Sequence, residues 1–348
     1  MSPSKIKIIF NDDGHDTYNL GGELLDLDNI HTTVADVEAA LKENGFSVSR
    51  VPLKKIEDLG RFTEEISEPG AFIFNLCEGA LCKSAFEMHV AALLELYGAR
   101  FTGNGPLTLG LALDKGLTKD ILYRRGVPTP GYAVMSAPPE RLEAGLAFPL
   151  IVKPLREDAS VGIDSNAVVG NISELRERVT QVNARFNQPA IVEEFIEGRE
   201  FNISVLGNGA AKKALPPSEI LFVDFPEGKP KICCYEAKWV EESPFYMKTV
   251  PSCPAKIPDA LKDELHEVAL RAYDIMGCRD YARVDMRYDN SDRIKVLEVN
   301  PNPDISSDAG FARAAKAAGL EYRDLIGEIV KAAVARYAAA GDGACVTR

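Results

Sequence analysis

The chain has 348 residues and a formal net charge of −12 at pH 7, with 46% hydrophobic and 26% charged residues. This composition is typical of a soluble globular protein that is long enough for two or three domains. The acidic balance argues against nucleic-acid binding, which favours a basic surface. Apolar runs such as 91–94 are far shorter than the roughly 20 residues of a membrane-spanning helix, so no membrane association is expected.

The cysteines and the N-terminal residues 1–10 give a prediction of the cellular compartment. Seven cysteines are spread along the chain without pairing or metal-ligand spacing, which predicts reduced thiols and a cytoplasmic location. Residues 1–10 hold only a short apolar run of β-strand character, so no secretory signal is expected there.

Strands and helices alternate over the first hundred residues. The strand patterns are 5–10, 46–51 and 71–76. A helix is predicted to begin at Thr32 or Thr33 and to end at Gly45, and a second one opens with a capping box made by Ser84 and Glu87. The apolar face of the first helix is predicted to be Val34, Val37, Ala40 and Leu41. This alternation predicts a small α/β domain with a parallel sheet.

The middle of the chain reads as helices and strands that alternate with loops. One helical pattern covers 107–125, and a short charged helix begins near Ser173. Strands are predicted at 148–154, 166–169, 191–196 and 201–206. Residues 239–258 contain four prolines and no periodicity, which predicts a long functional loop. The remaining predicted helices are 259–277, 308–318 and 322–339.

Two strand-like runs near the carboxyl end, 281–287 and 294–300, are joined by a turn signal. Alternation of side chains predicts that Leu297 and Val299 share one face of the second strand. On each strand, the face opposite the apolar residues carries polar groups. These are Arg283 and Asp285 on the first strand and Glu298 and Asn300 on the second. Oxygen ligands of this kind suit Mg²⁺, and buried charges must be paired or hold a metal. The alternative is a polar-faced hairpin in water.

Lys153 stands at the end of a predicted strand, where Pro154 stops further pairing. A lysine in this position is well placed against a phosphate. The small-residue loop 158–162 follows, and its free backbone N–H groups suit a flap over phosphates. Each feature alone is also typical of an ordinary strand end or turn.

Seven segments occur in an order that resembles a known superfamily. They are FNLCEG at 74–79, YGARFTGN at 97–104, DK at 114–115, VKPLRE at 152–157, YEAK at 235–238, RVD at 283–285 and LEVN at 297–300. Over nearly its whole length the chain resembles the ATP-grasp enzymes, and within them the D-alanine–D-alanine ligase branch. The resemblance implies a mixed α/β (α+β) protein with the ATP-grasp fold, in which an N-terminal Rossmann-like α/β domain precedes two α+β lobes that sandwich ATP.

The predicted division of the chain follows from this resemblance. The N-terminal domain is 1–104, the central lobe is 105–197, the C-terminal lobe with the metal site is 198–340, and 341–348 is a frayed tail.

The resemblance also implies a nucleotide site. The residues implied to bind ATP are Lys115, Lys153, Ser160, Val161, Gly162, Glu193, Glu194, Phe195, Ile196, Glu200, Lys238 and Leu297. Lys115 and Lys153 would contact phosphates, and Lys238 would reach the γ-phosphate. Residues 160–162 would close over the phosphates, whereas 193–196 would line the adenine slot and Glu200 would hold the ribose hydroxyls.

Metal and catalytic roles are implied in the same way. Asp285, Glu298 and Asn300 would bind two Mg²⁺ ions, with Glu298 bridging them and Mn²⁺ able to substitute. The implied catalytic residues are Arg283, which stabilises charge on the reacting carboxyl, together with Lys238, Ser160 and Asp16. The implied reaction is attack of a carboxylate on the γ-phosphate of ATP, followed by attack of an amine on the acyl phosphate, with ADP and phosphate released. Such chemistry depends on placement, cations and exclusion of water rather than on a nucleophilic side chain.

The part of the site that would hold the substrates departs from the family. The family's Glu, Ser and Tyr around the first alanine align with Asp16, Ala159 and Trp239, and two of these replacements lack a hydroxyl. A family Gly aligns with Asp304, and a family Ser that holds a carboxylate aligns with Ala309. The substrate pocket is predicted to involve Cys77, Glu78, Trp239, Asp304 and Ala309.

Three functions stay open from the sequence. The first is an ATP-dependent ligase that joins a small carboxylate to an amine, acting on amino acids or a small specialised metabolite. The second is D-alanine–D-alanine ligase of cell-wall synthesis. The third is a nucleotide-dependent phosphotransferase or an ATP-binding regulator without catalysis. The expected partners are small molecules, and a homodimer through the N-terminal domain is what the resemblance implies.

Overall fold

A computed structural model of the chain describes residues 3–12, 28–80 and 83–340. Its strands fall into three sheets that follow one another along the sequence. The predicted tail at 341–348 lies outside the described residues.

The first sheet has four parallel strands in the order β2-β1-β3-β4. They are β1 (Lys5–Asn11), β2 (Ser47–Leu53), β3 (Phe72–Asn75) and β4 (Arg100–Phe101). Its helices are α1 (Asp28–Glu43), α2 (Leu59–Ile66) and α3 (Glu87–Leu96). The predicted parallel α/β unit is therefore confirmed.

Two predicted helix starts in this unit are wrong. Helix α1 begins at Asp28, so Thr32 and Thr33 lie inside it rather than at its cap, although its four predicted apolar residues are all buried. Before α3, a 3₁₀ turn over Ser84–Phe86 forms without a capping box. The Glu87 side chain instead accepts a hydrogen bond from a distant loop, which is described below with the site.

The second sheet has antiparallel strands in the order β5-β8-β6-β7. They are β5 (Tyr132–Met135), β6 (Leu150–Pro154), β7 (Val168–Val169) and β8 (Ala190–Glu194). Helix α6 (Ile172–Phe186) packs on it, and α4 (Pro106–Leu113) and α5 (Lys115–Arg124) precede it. The predicted single helix over 107–125 is wrong, because Asp114 is extended (φ −84°, ψ 100°) and its side chain caps α5 by accepting from the Leu117 N–H at 3.1 Å.

The third sheet is antiparallel in the order β12-β11-β9-β13-β14, and β10 pairs with β9. Its strands are β9 (Gly198–Leu206), β10 (Lys213–Ala214), β11 (Ser218–Phe222), β12 (Thr249–Ser252), β13 (Tyr281–Asp289) and β14 (Ile294–Asn300). The remaining helices are α7 (Tyr235–Trp239), α8 (Pro244–Lys248), α9 (Asp259–Ile275), α10 (Gly310–Ala317) and α11 (Tyr322–Ala340).

The prediction of an irregular loop over 239–258 is wrong in part. This segment contains α8 and β12, and β12 pairs with β11 through residues that include Pro251. A proline cannot donate to a neighbouring strand, but the outermost strand of a sheet needs partners on one side only. The prolines therefore mark a sheet edge here rather than a lack of structure.

The β13–β14 hairpin forms as predicted, with one change in register. Asp285 pairs with Glu298, but Met286 pairs with Val296, so Leu297 is an extra residue in a bulge. Val296 and Val299 are both buried in the core, whereas Leu297 is only half-buried. The prediction that Leu297 and Val299 share one face is thus wrong, because the bulge interrupts the alternation.

One hydrophobic core joins the beginning and the end of the chain. It contains Ile8 of β1, Val37 of α1 and Phe74 of β3 together with Phe311 of α10 and Ile329 of α11. A separate core forms between the second sheet and α6. The predicted boundaries after residues 104 and 197 stay a prediction, but the first and third sheets share buried surface while the second sheet has a core of its own.

Candidate active site

Two carboxylates face each other on the β13–β14 hairpin. Asp285 lies directly opposite Glu298 in the register, and Arg283 lies opposite Asn300. Arg283 donates to both oxygens of Asp285, from Nε at 2.7 Å and from Nη2 at 2.8 Å. Burial and the charge of Glu298 raise the pKa of Asp285, and the Arg283 pair opposes that shift. The hairpin therefore brings the predicted metal ligands and the predicted catalytic arginine together.

Cations from several elements surround Glu298. Burial alone would raise the pKa of this carboxyl, but nearby positive charges outweigh burial and hold it well below its usual range. These charges belong to Lys115 of α5, Lys238 of α7, Lys153 of β6 and Arg283 of β13. Cations predicted from separate parts of the sequence thus act on one carboxylate, and the space that they enclose is called the cleft below.

Lys115 and Lys153 come from α5 and β6, outside the hairpin. The Lys115 ammonium donates to the Glu157 carbonyl and lies 3.3 Å from Oδ1 of Asp158. Burial would lower the pKa of Lys115, but the charges of Asp158 and Glu298 raise it above its ordinary value. Lys153 lies 3.1 Å from Oε2 of Glu193, which is on the adjacent strand β8.

Lys119 is a buried cation that the sequence reading missed. Its Nζ donates to the Leu297 carbonyl at 2.9 Å and lies 3.4 Å from Oε2 of Glu193. Complete burial lowers the pKa of Lys119 to about 8, although Glu193 opposes the shift. The available signal was its position four residues after Lys115 on a helix, a spacing that places both side chains on one face.

Glu193 has an oxygen that accepts no hydrogen bond. The residue is 1% exposed, and its Oε1 is buried without a partner among the described residues. Burial would raise the pKa of Glu193, but Lys119 and Lys153 outweigh it and the pKa is lowered. A buried acceptor of this kind is costly unless a donor reaches it, so the site fits a ligand with an N–H group, such as the amino group of adenine.

The side chain of Glu194 has a backbone partner next to the second sheet. Side chains alternate along β8, and the neighbouring Val192 packs into the core against α6. The Glu194 carboxylate accepts from the Gly131 N–H at 2.8 Å, and its own N–H donates to the Gly131 carbonyl. The Glu194 carboxylate is thus engaged by Gly131, and its binding to the nucleotide stays a prediction.

The loop 158–162 is held in an unusual backbone conformation. Ala159 (φ 54°) and Ser160 (φ 62°) are left-handed without being glycine, which stores strain of the kind found at ligand-binding loops. The Ser160 hydroxyl donates to the Cys233 carbonyl at 2.8 Å, and Val161 is buried. A Cβ at Gly162 would lie 2.6 Å from Pro154, so this position requires glycine.

Trp239 also forms a hydrogen bond with the 158–162 loop. Its indole N–H donates to the Ala159 carbonyl at 3.0 Å. Alanine and tryptophan at these positions cannot make a contact between two hydroxyl groups, yet the two segments are still linked. Lys238, next to Trp239 on α7, points its charge toward Glu298 and Asp285.

The predicted ribose acid, Glu200, is already paired. Arg287 of β13 lies opposite it in the register and donates to its Oε2. The Arg287 guanidinium also lies 5.7 Å from the ring centre of Phe195 and donates to the Ile196 carbonyl. Arg287 was missed by the sequence reading, although the period of two that selects Arg283 and Asp285 continues to it.

Cys77 and Glu78, the first residues predicted for the substrate pocket, differ in their surroundings. The Cys77 side chain is buried in the core of the first sheet, and the Cys77 carbonyl accepts from Asn302. The contribution of Cys77 to the substrate pocket stays a prediction. Glu78 opens onto water, yet the surrounding protein and the charges of Asp304 and Asp158 raise its pKa to about 7.

Asn302 ties this segment to the loop after β14. Its side-chain amide donates to the Cys77 carbonyl at 3.0 Å and to Oε1 of Glu87 at 2.8 Å, and its backbone N–H donates to Oδ1 of Asn300. Burial raises the pKa of Glu87 to about 8, although the bond from Asn302 opposes the shift. Neither Asn302 nor Glu87 was predicted as part of the site, because their contact joins positions more than two hundred residues apart.

The remaining predicted substrate residues lie at the start of α10. Asp304 accepts from the Ser306 N–H at 2.8 Å, and Ala309 precedes the first turn of the helix. Asp16 lies outside the described residues.

Comparison with known proteins agrees with this geometry. A family model described as D-ala D-ala ligase C-terminus matches residues 127–331. The chain is 37% identical over 245 residues to D-alanine–D-alanine ligase of Bordetella petrii, covering 70% of this chain and 71% of that protein. It is also 35% identical over 309 residues to the uncharacterized protein y4sG of Sinorhizobium fredii, covering 87% and 88% of the two chains.

Solved structures have the same fold. The structure of D-alanine–D-alanine ligase from Bacillus anthracis complexed with ATP has a TM-score of 0.73 at 23% identity and covers 97% of this chain and 100% of its own. VanG D-Ala:D-Ser ligase from Enterococcus faecalis has a TM-score of 0.70 at 20% identity, with 95% and 99% covered. These likenesses define the fold as that of the ATP-grasp enzymes, as the sequence predicted.

The family model and the relatives that are more than 30% identical go further than the fold. The chain belongs to the D-alanine–D-alanine ligase family, whose members are ATP-grasp carbon–nitrogen ligases. The predicted enzyme class is confirmed. Among the described residues, no helix is long and apolar enough to cross a membrane.

Proposed function

We propose that this ligase binds ATP in the cleft, transfers its γ-phosphoryl group to a small carboxylate substrate, and joins the resulting acyl phosphate to an amine. ADP leaves after the first step and phosphate after the second. The observation that carries this proposal is the convergence of Lys115, Lys153, Lys238 and Arg283 on Glu298. Phosphoryl transfer needs cations where negative charge spreads and little else from the protein.

The donor set on the hairpin fits Mg²⁺. Asp285 and Glu298 face each other, Asn300 adds an amide oxygen on the same strand, and the charge of Glu298 raises the pKa of Asp285. A divalent cation between them would relieve this repulsion, and hard oxygen ligands are those that Mg²⁺ prefers. Among the described residues there is no group of three or more His, Cys, Asp or Glu that could hold a metal ion. We infer two Mg²⁺ ions held by these three residues, with the remaining ligands supplied by phosphate oxygens of the nucleotide.

The chain's own groups have separate tasks in this scheme. Lys115, Lys153 and Lys238 would hold the phosphates, and Arg283 would stabilise charge on the reacting carboxyl. Bound Mg²⁺ would neutralise charge on the phosphate oxygens. The 158–162 loop is joined to Cys233, just before α7, by Ser160 and to α7 itself by Trp239, and it would keep water from the acyl phosphate.

The substrates are proposed to differ from two D-alanines. Ala159, Trp239 and Ala309 lack the hydroxyl groups that the family uses, and Asp304 adds a charge. Glu78 and Asp304 act on each other electrostatically, and both would favour a positively charged group. We therefore infer an amino-acid or amine-bearing substrate on this side of the cleft.

D-alanine–D-alanine ligase itself is the second candidate. It is favoured by the Bordetella petrii relative of that name, which is 37% identical. Purified protein with D-alanine, ATP and Mg²⁺ tests it directly, because a D-alanine–D-alanine ligase releases ADP with D-alanine as the only amino acid and forms the dipeptide.

Hydroxylamine trapping tests the ligase proposal. With the correct acid, ATP and Mg²⁺, hydroxylamine should intercept the acyl phosphate and give a hydroxamate and ADP in equal amounts. ADP together with a phosphorylated product that yields no hydroxamate would indicate a phosphotransferase. Tight ATP binding without turnover across a panel of acids and amines would indicate a regulator, and release of AMP and pyrophosphate would contradict the mechanism.

We infer a cytoplasmic location and a homodimer through residues 1–104. Within residues 3–12, 28–80 and 83–340 no two cysteines are joined by a disulfide, which is in keeping with a reducing compartment. Light scattering of the purified chain would measure the oligomeric state.

A further inference from the structure

Arg287 occupies the centre of the wall that would face the sugar of the nucleotide. It follows Arg283 and Asp285 at a spacing of two on β13 and lies directly opposite Glu200 of β9. Arg287 is 3% exposed and Glu200 is 8% exposed. A buried arginine–glutamate pair is costly to form and does not by itself imply stabilisation, so a role in binding deserves a test.

The guanidinium group connects three separate segments. It donates to Oε2 of Glu200 from Nε at 3.1 Å and from Nη2 at 2.5 Å. It also donates to the Ile196 carbonyl at 3.2 Å and to the Lys231 carbonyl at 2.6 Å. These acceptors lie in β9, in the turn after β8 and in the segment before α7.

Two aromatic rings restrict the plane of this group further. The Phe195 and Phe222 ring centres lie 5.7 and 5.9 Å from the guanidinium carbon of Arg287. A planar group that is fixed by four hydrogen bonds and two rings has few other orientations available.

Only one oxygen of Glu200 is used by Arg287. Both hydrogen bonds end on Oε2, and among the described residues no other side chain or backbone group donates to Oε1. Oε1 is also absent from the buried atoms that lack a partner, so it is accessible rather than enclosed. One oxygen is anchored, and the other remains available as an acceptor.

We propose that Arg287 is a positioning residue for nucleotide recognition, which holds Glu200 so that Oε1 accepts hydrogen bonds from the ribose hydroxyls and holds the Ile196 carbonyl beside the base. The ligand class selected in this way is a ribonucleoside triphosphate in preference to its deoxy forms. This inference rests on the proposed function, because it requires ATP to bind in the cleft. Arg287 touches neither the phosphates nor the reacting atoms in this arrangement.

Calorimetry with ATP, 2′-deoxy-ATP and 3′-deoxy-ATP tests the proposal without knowledge of the substrates. Titrations in the presence of Mg²⁺ and without any acid give a dissociation constant for each nucleotide. The unsubstituted chain should bind at least one deoxy form about tenfold more weakly than ATP, since a hydrogen bond to a charged acceptor is lost. In Arg287→Met, ATP binding should weaken and this difference should shrink to about threefold or less, because Glu200 loses its anchor.

A matched control is available on the same sheet. Arg199 donates to both oxygens of Glu219 at 2.6 and 2.7 Å, and this pair joins β9 to β11. Arg199→Met removes a comparable ion pair and should leave the ratio between ATP and its deoxy forms unchanged. Arg287→Lys retains the charge without the planar fork, and it should also lose discrimination; it replaces Arg287→Met if circular dichroism shows that the latter does not fold.

The outcomes separate this inference from the proposed function. A folded Arg287 variant that keeps full discrimination would overturn the inference, and so would an unsubstituted chain that binds all three nucleotides equally. Both results would leave the proposed ligase standing. Absence of heat with ATP and Mg²⁺ for the unsubstituted chain would instead contradict the proposed function.

Discussion

Glu298 is a carboxylate whose surroundings favour its charged form. Lys115, Lys238, Lys153 and Arg283 together outweigh the effect of burial on its pKa. Removing this charge should matter more for catalysis than for folding, because each of these cations has another carboxylate nearby: Asp285 for Arg283 and Lys238, Asp158 for Lys115 and Glu193 for Lys153.

Glu298→Gln should therefore lower kcat by about a hundredfold or more while leaving the fold intact, since a lost metal ligand removes charge stabilisation in the transition state. Steady-state ADP release with the identified substrates measures this effect. Glu219→Gln is the control, because Glu219 is also a carboxylate of the third sheet but pairs with Arg199 away from the hairpin. Equal kinetics in the two variants would contradict the proposed metal site.

Glu87 shows the opposite behaviour. Burial raises its pKa to about 8 from an ordinary value of 4.5. Between these two pH values the folded chain holds a proton that the unfolded chain has released, so the stability from this group is present below pH 4.5 and is lost as the pH rises toward 8.

Glu87→Gln should remove this pH dependence, because glutamine can still accept from Asn302 and does not ionise. The melting temperature of the variant relative to the unsubstituted chain should rise steadily between pH 5 and pH 8. Thermal unfolding followed by circular dichroism at several pH values measures this. A constant difference across that range would show that Glu87 does not titrate as described.

Sequence motifs were enough to select the charged residues of the cleft. They did not select the residues whose hydrogen bonds connect the surrounding loops. Lys115, Lys153 and Glu298 were found from their motifs, whereas Asn302 was not. Its role depends on a contact with Glu87 that no local pattern encodes.

At the scale of elements, α7 and the 158–162 loop act as one unit. The Trp239 indole of α7 donates to the Ala159 carbonyl, and the Ser160 hydroxyl donates to the Cys233 carbonyl just before α7. The Tyr235 N–H of α7 donates at 2.8 Å to the carbonyl of Ile163, the residue that follows the loop. The tryptophan contact replaces the hydroxyl contact that the resemblance implied.

Trp239→Phe should loosen this link, because phenylalanine keeps an aromatic ring but has no N–H to donate. A hydrogen bond of about 1 kcal/mol corresponds to a change of roughly fivefold in how often the loop opens. The expected result is more ADP released per amide product, as water reaches the acyl phosphate. Tyr246→Phe, on the neighbouring helix α8, is the control, and an unchanged ratio of ADP to product in Trp239→Phe would refute the coupling.

Errors in the predicted elements have local causes. Asp114 interrupts a continuous helical pattern because its side chain competes as a cap, and Leu297 interrupts a strand pattern because the hairpin has a bulge. In both cases the hydrophobic periodicity was correct on either side. The break at Asp114 and the bulge at Leu297 are adjacent in sequence to Lys115 and Glu298. At these two places regular secondary structure is interrupted next to a charged residue of the cleft.

At the scale of the whole molecule, the shared core links distant parts of the sequence. Phe311 packs against Tyr281 with ring centres 5.9 Å apart, within the same core as β1 and α1. The two predicted outer domains should therefore lose structure together, although a sequence division would treat them as separate.

Phe311→Ala should destabilise this body by about 3–5 kcal/mol, since a large buried ring is removed. Hydrogen exchange should then show loss of protection in β1 as well as in β9 and β13. Leu175→Ala in the core of the second sheet is the control and costs about 2–5 kcal/mol, but it should expose β6 and β8 and leave β1 protected. Loss of protection in β1 in both variants would mean that the chain unfolds as a single unit.

The contacts of Asn302 with Cys77 and Glu87 have a consequence for recombination between relatives. They fasten both predicted substrate segments to one rigid body, whereas β5 through β8 form a lobe with an independent interior. A chimera that takes residues 132–194 from another member of the family would exchange much of the grip on adenine and phosphate. The recipient chain would still supply Glu78, Trp239, Asp304 and Ala309 of the proposed substrate pocket, and of the residues proposed to contact the substrates only Ala159 would be exchanged.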